Sequence, residues 1–415
     1  MVTANKPRLA FVSPSFLFPN NTGGRIRTTN ILRGLKGGAF DVTLLGPASA
    51  NECDTWKAAL TDVCDRFVPW KPARTRPRWM RAIDLLSDLP VNVTTDRTRV
   101  ALAAVRSTLA NEVFDAVVFD FVHAAVLLPH ATRAATVCFT HNVEAEIFAR
   151  HASQASNPVL RLMWTSQRAK MQRFEREALN RFDSVVAVSE RDARHFIDRY
   201  GLAHVATIPT GVDLSFFAWN APREPDLQQS PTVVFIGSMD WAPNIDGVRF
   251  FVDEVWPQVR RAMPTAEFVV VGRKPPASLL DHCRAIPGVS FTGFVDDVRP
   301  YVKQAQVSVI PLRVGGGTRI KAFEAMAMGC PVVSTSIGIE GLDVQDGEHF
   351  LCRDDAAAQA AAVLQLLADA ALRTALSQRA RRCVEERFGH RVAARAFEDA
   401  CLAALKSFRS ASQQA

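Results

Sequence analysis

The stretch Gly315-Gly316-Gly317-Thr318-Arg319-Ile320-Lys321-Ala322-Phe323-Glu324-Ala325-Met326-Ala327-Met328-Gly329-Cys330-Pro331 decides how the chain is read. Apolar runs bracket it at 307–312 and 332–335, so it reads as strand, glycine loop, helix, turn and strand. A glycine loop that enters a helix leaves backbone N–H groups free to face an anion, and the helix dipole adds to the attraction. Arg319 and Lys321 bring full positive charges to the same end. Glu324, three residues after Lys321 and so its neighbour on the helix, is an acceptor suited to the hydroxyls of a ribose. The pattern fits a nucleotide-diphosphate site. It also fits a plain strand–helix junction with Lys321 and Glu324 paired in water, and the rest of the sequence has to separate the two.

At 415 residues the chain has room for two domains, each with its own core. No apolar run reaches the roughly 18 residues of a membrane-spanning helix. Residues 114–129 come nearest and are broken by Asp115, Asp120 and His123. The first eight residues lead straight into a strand without the apolar core of a signal peptide, so a cytoplasmic location is expected. Eight cysteines are scattered with no C-x-x-C pair and no spacing that suits a metal, so neither disulfide staples nor structural zinc is expected.

The net charge of +7 favours anionic partners. Five basic residues, Lys71, Arg74, Arg76, Arg78 and Arg81, fall together without an acid and surround Trp79-Met80. Cations interleaved with an aromatic suit an anionic membrane surface, and equally a loop whose arginines face water. Nucleic acid is not expected as a partner, because the cations form no aromatic-lined stripe.

Apolar strands alternate with helical stretches along the whole chain, which indicates doubly wound parallel sheets. Strands are predicted at 8–13, 41–45, 115–121, 135–140, 184–189 and 205–209, then at 232–237, 266–271, 289–292, 307–311 and 331–335. Two such sets make two Rossmann-like domains of class α/β, at 1–212 and 213–388. Residues 213–231, polar and proline-rich at 220–226, read as the linker between them. A last helix, predicted at 391–407 within a final segment 389–415, follows the Phe388-Gly389-His390 break.

Glycines recur where strands end. Gly23 and Gly24 close the loop after the first strand, before a helix predicted from Arg25. Gly237-Ser238, Gly272-Arg273 and Gly293-Phe294-Val295 follow three strands of the second set. His141 follows the strand at 135–140, where an open α/β sheet places its ligands, and a histidine there can give a proton to a phosphate or sugar hydroxyl or merely cap the strand. A P-loop signature and a G-x-G-x-x-G after the first strand are both missing, which argues against a P-loop enzyme and a dinucleotide oxidoreductase. No Asp-x-Asp triplet occurs either, so the simplest metal-held sugar-nucleotide site is absent, and no metal or cofactor is expected.

Taken together, Thr22-Gly23-Gly24, Thr140-His141-Asn142, Ile208-Pro209-Thr210-Gly211-Val212-Asp213 and the string from Glu324 to Val333 resemble the GT-B fold glycosyltransferases, specifically the retaining family 4. The resemblance implies a nucleotide sugar in the second domain, a glycan or lipid-linked acceptor in the first, and a final helix that crosses back onto the first. It implies Glu324 on the ribose and Gly317-Thr318 with Gly23 and Gly24 on the diphosphate. His141 would face the transferred sugar, while Gly272, Arg273, Phe294 and Val295 would frame the base. Such an enzyme would work at the inner face of a membrane, in surface polysaccharide or glycolipid synthesis.

The chain departs from that family in two places. The family often has two glutamates separated by seven residues, and Gly316 stands where the first would fall. The family also tends to carry an arginine and a lysine after the first strand of the second domain, where this chain has Gly237-Ser238-Met239-Asp240-Trp241. A leaving nucleotide diphosphate needs cations or dipoles, and Arg319 and Lys321 are the expected replacements. Two rivals follow from the same fold: a sugar-nucleotide epimerase, and a non-catalytic nucleotide-sugar binding protein.

Overall fold

Strands of a parallel sheet are covered on both faces, and β1 (Arg8–Val12) shows how the sequence provides for it. Leu9 and Phe11 enter one apolar layer, and Ala10 and Val12 enter the other. The computed structural model describes residues 6–20, 22–72, 84–85, 87–155, 157–209, 211–219, 230–314 and 320–414. They form two units, Met1–Gly211 with His390–Ala415, and Val212–Gly389.

The first unit holds a seven-stranded parallel sheet. Its strands are β1, β2 (Asp41–Pro47), β3 (Arg66–Trp70), β4 (Ala116–Asp120), β5 (Ala135–Phe139), β6 (Ser184–Ala187) and β7 (Val205–Thr207), in the order β3-β2-β1-β4-β5-β6-β7. The order reverses between β1 and β4, and that crevice is where an open sheet takes its ligands. β3 was not predicted. It is a half-exposed edge strand carrying Pro69, so its apolar pattern is weak and the proline is tolerated only because of that edge position.

The second unit holds six parallel strands: β8 (Thr232–Ile236), β9 (Glu267–Val271), β10 (Val289–Gly293), β11 (Val307–Ile310), β12 (Val332–Ser334) and β13 (Leu351–Cys352). The order β10-β9-β8-β11-β12-β13 places its reversal between β8 and β11. β13, two residues long, is too short to carry a periodic signal. Apart from β3 and β13 the strands are those predicted, shortened or lengthened by a few residues at their ends.

Three further expectations shift. The first helix begins at Gly23, not Arg25, because both glycines fit its first turn. Part of the predicted linker belongs to the second unit, since Leu214 and Phe217 pack on its core; residues 220–229 lie outside the described residues. The last helix, His390–Gln414, is longer than predicted and belongs to the first unit. Its Phe397 ring meets Phe139 at 4.9 Å and Phe11 at 6.3 Å, and Ala394 sits so close to Gly34 that a Cβ there would fall 2.2 Å from the alanine methyl. Burial of Phe397 alone contributes roughly 2 kcal/mol.

Among the described residues no single helix is long and apolar enough to cross a membrane. Ala356–Ala368 and Ala370–Arg387 pass jointly on length and composition but are bent by 102° and lend their apolar residues to the second core. All eight cysteines are free.

Candidate functional site

In the first unit the chemistry gathers at the reversal of strand order. Strand β4 is apolar until its last residue, Asp120, which is fully buried. Such a carboxylate must be hydrogen-bonded. It accepts from Thr28 Oγ1 at 2.9 Å, from Ser13 Oγ at 3.3 Å and from His141 Nε2 at 2.7 Å, so three elements converge on it. Arg27, also buried, adds positive charge; burial lowers its pKa to about 10 against the pull of Asp192 and Asp120.

His141 follows β5 and is covered by Phe121, whose ring stacks on it at 3.9 Å. Phe121 has φ +69°, a conformation costly for a bulky residue and common at functional sites. His123 also stacks on Phe121, at 5.0 Å, and bonds to Asp96 through Nδ1. Burial pulls the His123 pKa down, but the Asp96 hydrogen bond and charge prevail and raise it. For His141 burial prevails over Asp120 and lowers the pKa, which leaves the ring neutral. Gly24 lies directly beneath: a Cβ there would fall 2.6 Å from Phe121 Cζ, whereas one at Gly23 would meet nothing within 4 Å.

The turn after His141 is itself anchored. Glu175, fully buried, accepts from the N–H of Glu144 at 2.7 Å and of Ala145 at 3.2 Å, and from the Tyr200 hydroxyl at 2.8 Å. Burial pushes its pKa up to about 8 despite these bonds.

In the second unit, the loops after β8 and β9 are pressed together. A Cβ on Gly272 would fall 1.8 Å from Gly237 O, so both residues serve close packing of backbone. Arg273 Nε donates to Ser238 Oγ at 3.0 Å, and Ser238 Oγ donates to Asp240 Oδ1 at 2.6 Å. Asn244, buried in the first turn of the next helix, donates to Ser238 O at 2.8 Å and accepts from Lys321 Nζ at 2.9 Å. The Lys321 ammonium also lies 4.6 Å from the centre of the Phe235 ring. The structure thus joins Gly237, Ser238, Gly272, Arg273 and Lys321 in one cluster.

Glu324 is half-buried on the same helix as Lys321, Ile320–Ala327. Loss of water raises its pKa to about 7, against the lowering charge of Lys321. Phe294 is exposed and Val295 half-buried on the turn after β10. Gly316, Gly317, Thr318 and Arg319 lie outside the described residues, as do Arg74, Arg76, Arg78, Trp79 and Arg81. Among the described residues no three His, Cys, Asp or Glu side chains are grouped to hold a metal ion.

Sequence reasoning missed Asp120, Phe121 and Asn244. One signal was available for the first: a carboxylate ending an otherwise apolar strand in Ala116-Val117-Val118-Phe119-Asp120.

The description "Glycosyltransferase Family 4" matches residues 22–216, and "Glycosyl transferases group 1" matches residues 230–369. Over 183 residues the chain is 30% identical to the phosphatidyl-myo-inositol mannosyltransferase of Mycobacterium tuberculosis, a match covering 43% of this chain and 47% of that protein. The chain spans about half the length of the curated mannosyltransferase relatives it matches. Sucrose-phosphate synthase of Thermosynechococcus elongatus has a similar structure, with a TM-score of 0.65 at 18% identity over 99% of this chain and 100% of that one. Anabaena HepE in complex with UDP gives a TM-score of 0.65 at 14% identity over 94% and 98%. At such identities these structures speak to the fold, and that fold agrees with what the two matched segments say: the chain belongs to the group 1, family 4 glycosyltransferases, with their GT-B architecture of two Rossmann-like domains.

Proposed function

We propose that the protein is a retaining, metal-independent hexosyltransferase. It moves a sugar from a nucleotide-diphosphate donor to a glycan or lipid-linked acceptor, in surface polysaccharide or glycolipid synthesis at the inner face of a membrane. The second unit, Val212–Gly389, takes the donor and the first, Met1–Gly211 with His390–Ala415, the acceptor. The observation that carries the reading is the Ile320–Ala327 helix, which presents Lys321 and Glu324 beside the Ser238–Arg273 cluster.

Glu324 accepts from the ribose hydroxyls, and the Gly317 and Thr318 amides with Gly23 and Gly24 face the diphosphate. Arg319 and Lys321 neutralise charge as the bond from the sugar's anomeric carbon to the phosphate oxygen breaks. The acceptor oxygen bonds that carbon on the same face and passes its proton to the departing phosphate. His141, neutral and fixed by Asp120, orients the sugar.

A panel of nucleotide sugars screened by thermal shift tests the reading. A donor at a hundred times its Kd raises stability by about 2.7 kcal/mol. Arg319→Ala should then cut turnover by orders of magnitude with the fold intact. If no nucleotide sugar stabilises the protein and none is slowly hydrolysed to free nucleotide diphosphate, the reading fails. A new nucleotide sugar formed without acceptor would instead identify an epimerase.

A further inference from the structure

The helix Pro158–Leu179 opens on bare aliphatic side chains: Val159 is 73% exposed, Leu160 45% and Leu162 72%. They lie at the tip of a helical hairpin. The preceding helix, Glu144–Gln154, is tied to this one by Trp164, whose ring stacks on His151 at 4.9 Å and lies 5.9 Å from Phe148. Further along, the long helix is firmly held. Gln167 accepts from Val91 N at 2.9 Å, and Lys170 donates to Leu85 O at 2.8 Å and Ser87 O at 2.6 Å. Arg173 donates to Asp88 O at 3.0 Å. The base is therefore pinned by these bonds, while the tip offers apolar surface that no described residue covers.

Charge identifies what covers it. Residues 147–174 contain no aspartate or glutamate, and besides Lys170 and Arg173, which hold the base, they carry Arg150, Arg161 and Arg168. We propose that the hairpin tip docks on an anionic lipid surface, with Val159, Leu160 and Leu162 entering the boundary between headgroups and acyl chains and the arginines on lipid phosphates. A second copy is a poor occupant, because a two-fold contact would set these cations against one another. Nucleic acid is poorer still: bases stack on aromatic rings, and Trp164 is already engaged inside the hairpin.

The docking reaches the site through one helix. An α-helical rise puts Leu160 about 22 Å from Glu175, whose carboxylate holds the turn after His141. Lipid contact at the tip would hold that turn at a set height, which serves a lipid-linked acceptor. This use rests on the proposed function, whereas the docking does not.

Co-sedimentation of the full chain with vesicles of phosphatidylcholine, alone or mixed with phosphatidylglycerol, tests it. The protein should prefer the anionic vesicles by roughly fivefold for each cation engaged, and added salt should weaken the preference. Val159→Ser with Leu162→Ser should lower partition about tenfold or more while melting temperature and donor-induced thermal shift stay unchanged. Arg161→Glu with Arg168→Glu should abolish the preference for phosphatidylglycerol. Equal partition of wild type and variants, or indifference to phosphatidylglycerol, overturns the proposal. So does a wild-type dimer in sedimentation velocity that Leu162→Ser dissociates. Because donor-induced stabilisation is read without vesicles, failure of docking and failure of the proposed function remain distinguishable.

Discussion

Asp120 Oδ1 lies 2.7 Å from His141 Nε2, at the ends of two adjacent strands and out of water. The ring donates from Nε2, so its remaining lone pair is on Nδ1, which is buried and has no partner among the described residues. Asp120 thereby selects the tautomer of His141.

Asp120→Asn keeps the shape but frees the ring to take the other tautomer. Turnover is expected to fall about a hundredfold or more with little change in donor affinity. Initial rates beside thermal shifts with the donor check this, and a rate within a factor of about three of wild type would leave the pair no part in turnover. The lowered pKa of His141 also predicts acid sensitivity. In the unfolded chain histidine titrates near 6.5, so stability should decline as pH falls below that value toward the folded pKa.

Glu175 behaves with the opposite sign. Its pKa is raised from 4.5 to about 8 by burial, so its contribution is complete below 4.5 and is lost as pH climbs through 8. Glu175→Gln removes that titration while keeping an acceptor for the Glu144 amide. The melting-temperature advantage of wild type over the variant should therefore shrink as pH rises across this window. A constant difference would show that the carboxyl does not titrate there.

Glu324 provides a test tied to the donor. With a pKa near 7, raised by burial, its acceptor form grows as pH rises through neutrality. Donor affinity measured by calorimetry should strengthen over that range in wild type. Glu324→Gln should bind about ten- to a hundredfold more weakly, in line with loss of a charged hydrogen bond, and without the pH dependence. Retention of the pH profile in the variant would assign it to another group.

Gly272→Ala forces a methyl to within 1.8 Å of Gly237 O, and backbone on both sides cannot give way cheaply. Destabilisation of about 1–3 kcal/mol is expected in denaturant titration, accompanied by weaker donor binding, because Ser238 and Arg273 move with the two loops. Gly23→Ala, open to solvent on that side, serves as the control and should cost much less.

Much of this was legible without coordinates. The 3.6- and 2-residue periodicities and the glycines at strand ends are local signals, and they sufficed for two doubly wound domains and for one helix that carries both Lys321 and Glu324. β3 escaped because an edge strand with Pro69 needs no clean apolar alternation, and Asn244 because it looks like any helix-starting amide. Which strand ends stand side by side was beyond local reading: it follows from the order β3-β2-β1-β4-β5-β6-β7, set by crossovers and packing far apart in sequence. That order alone brings Ser13, Thr28, Asp120 and His141 together. Sequence by itself determined the two sets of alternating strands and helices and which polar residues fall at strand ends. Tertiary structure decided which of them lose water and therefore change their charge, since desolvation belongs to the packed neighbourhood and to no residue alone.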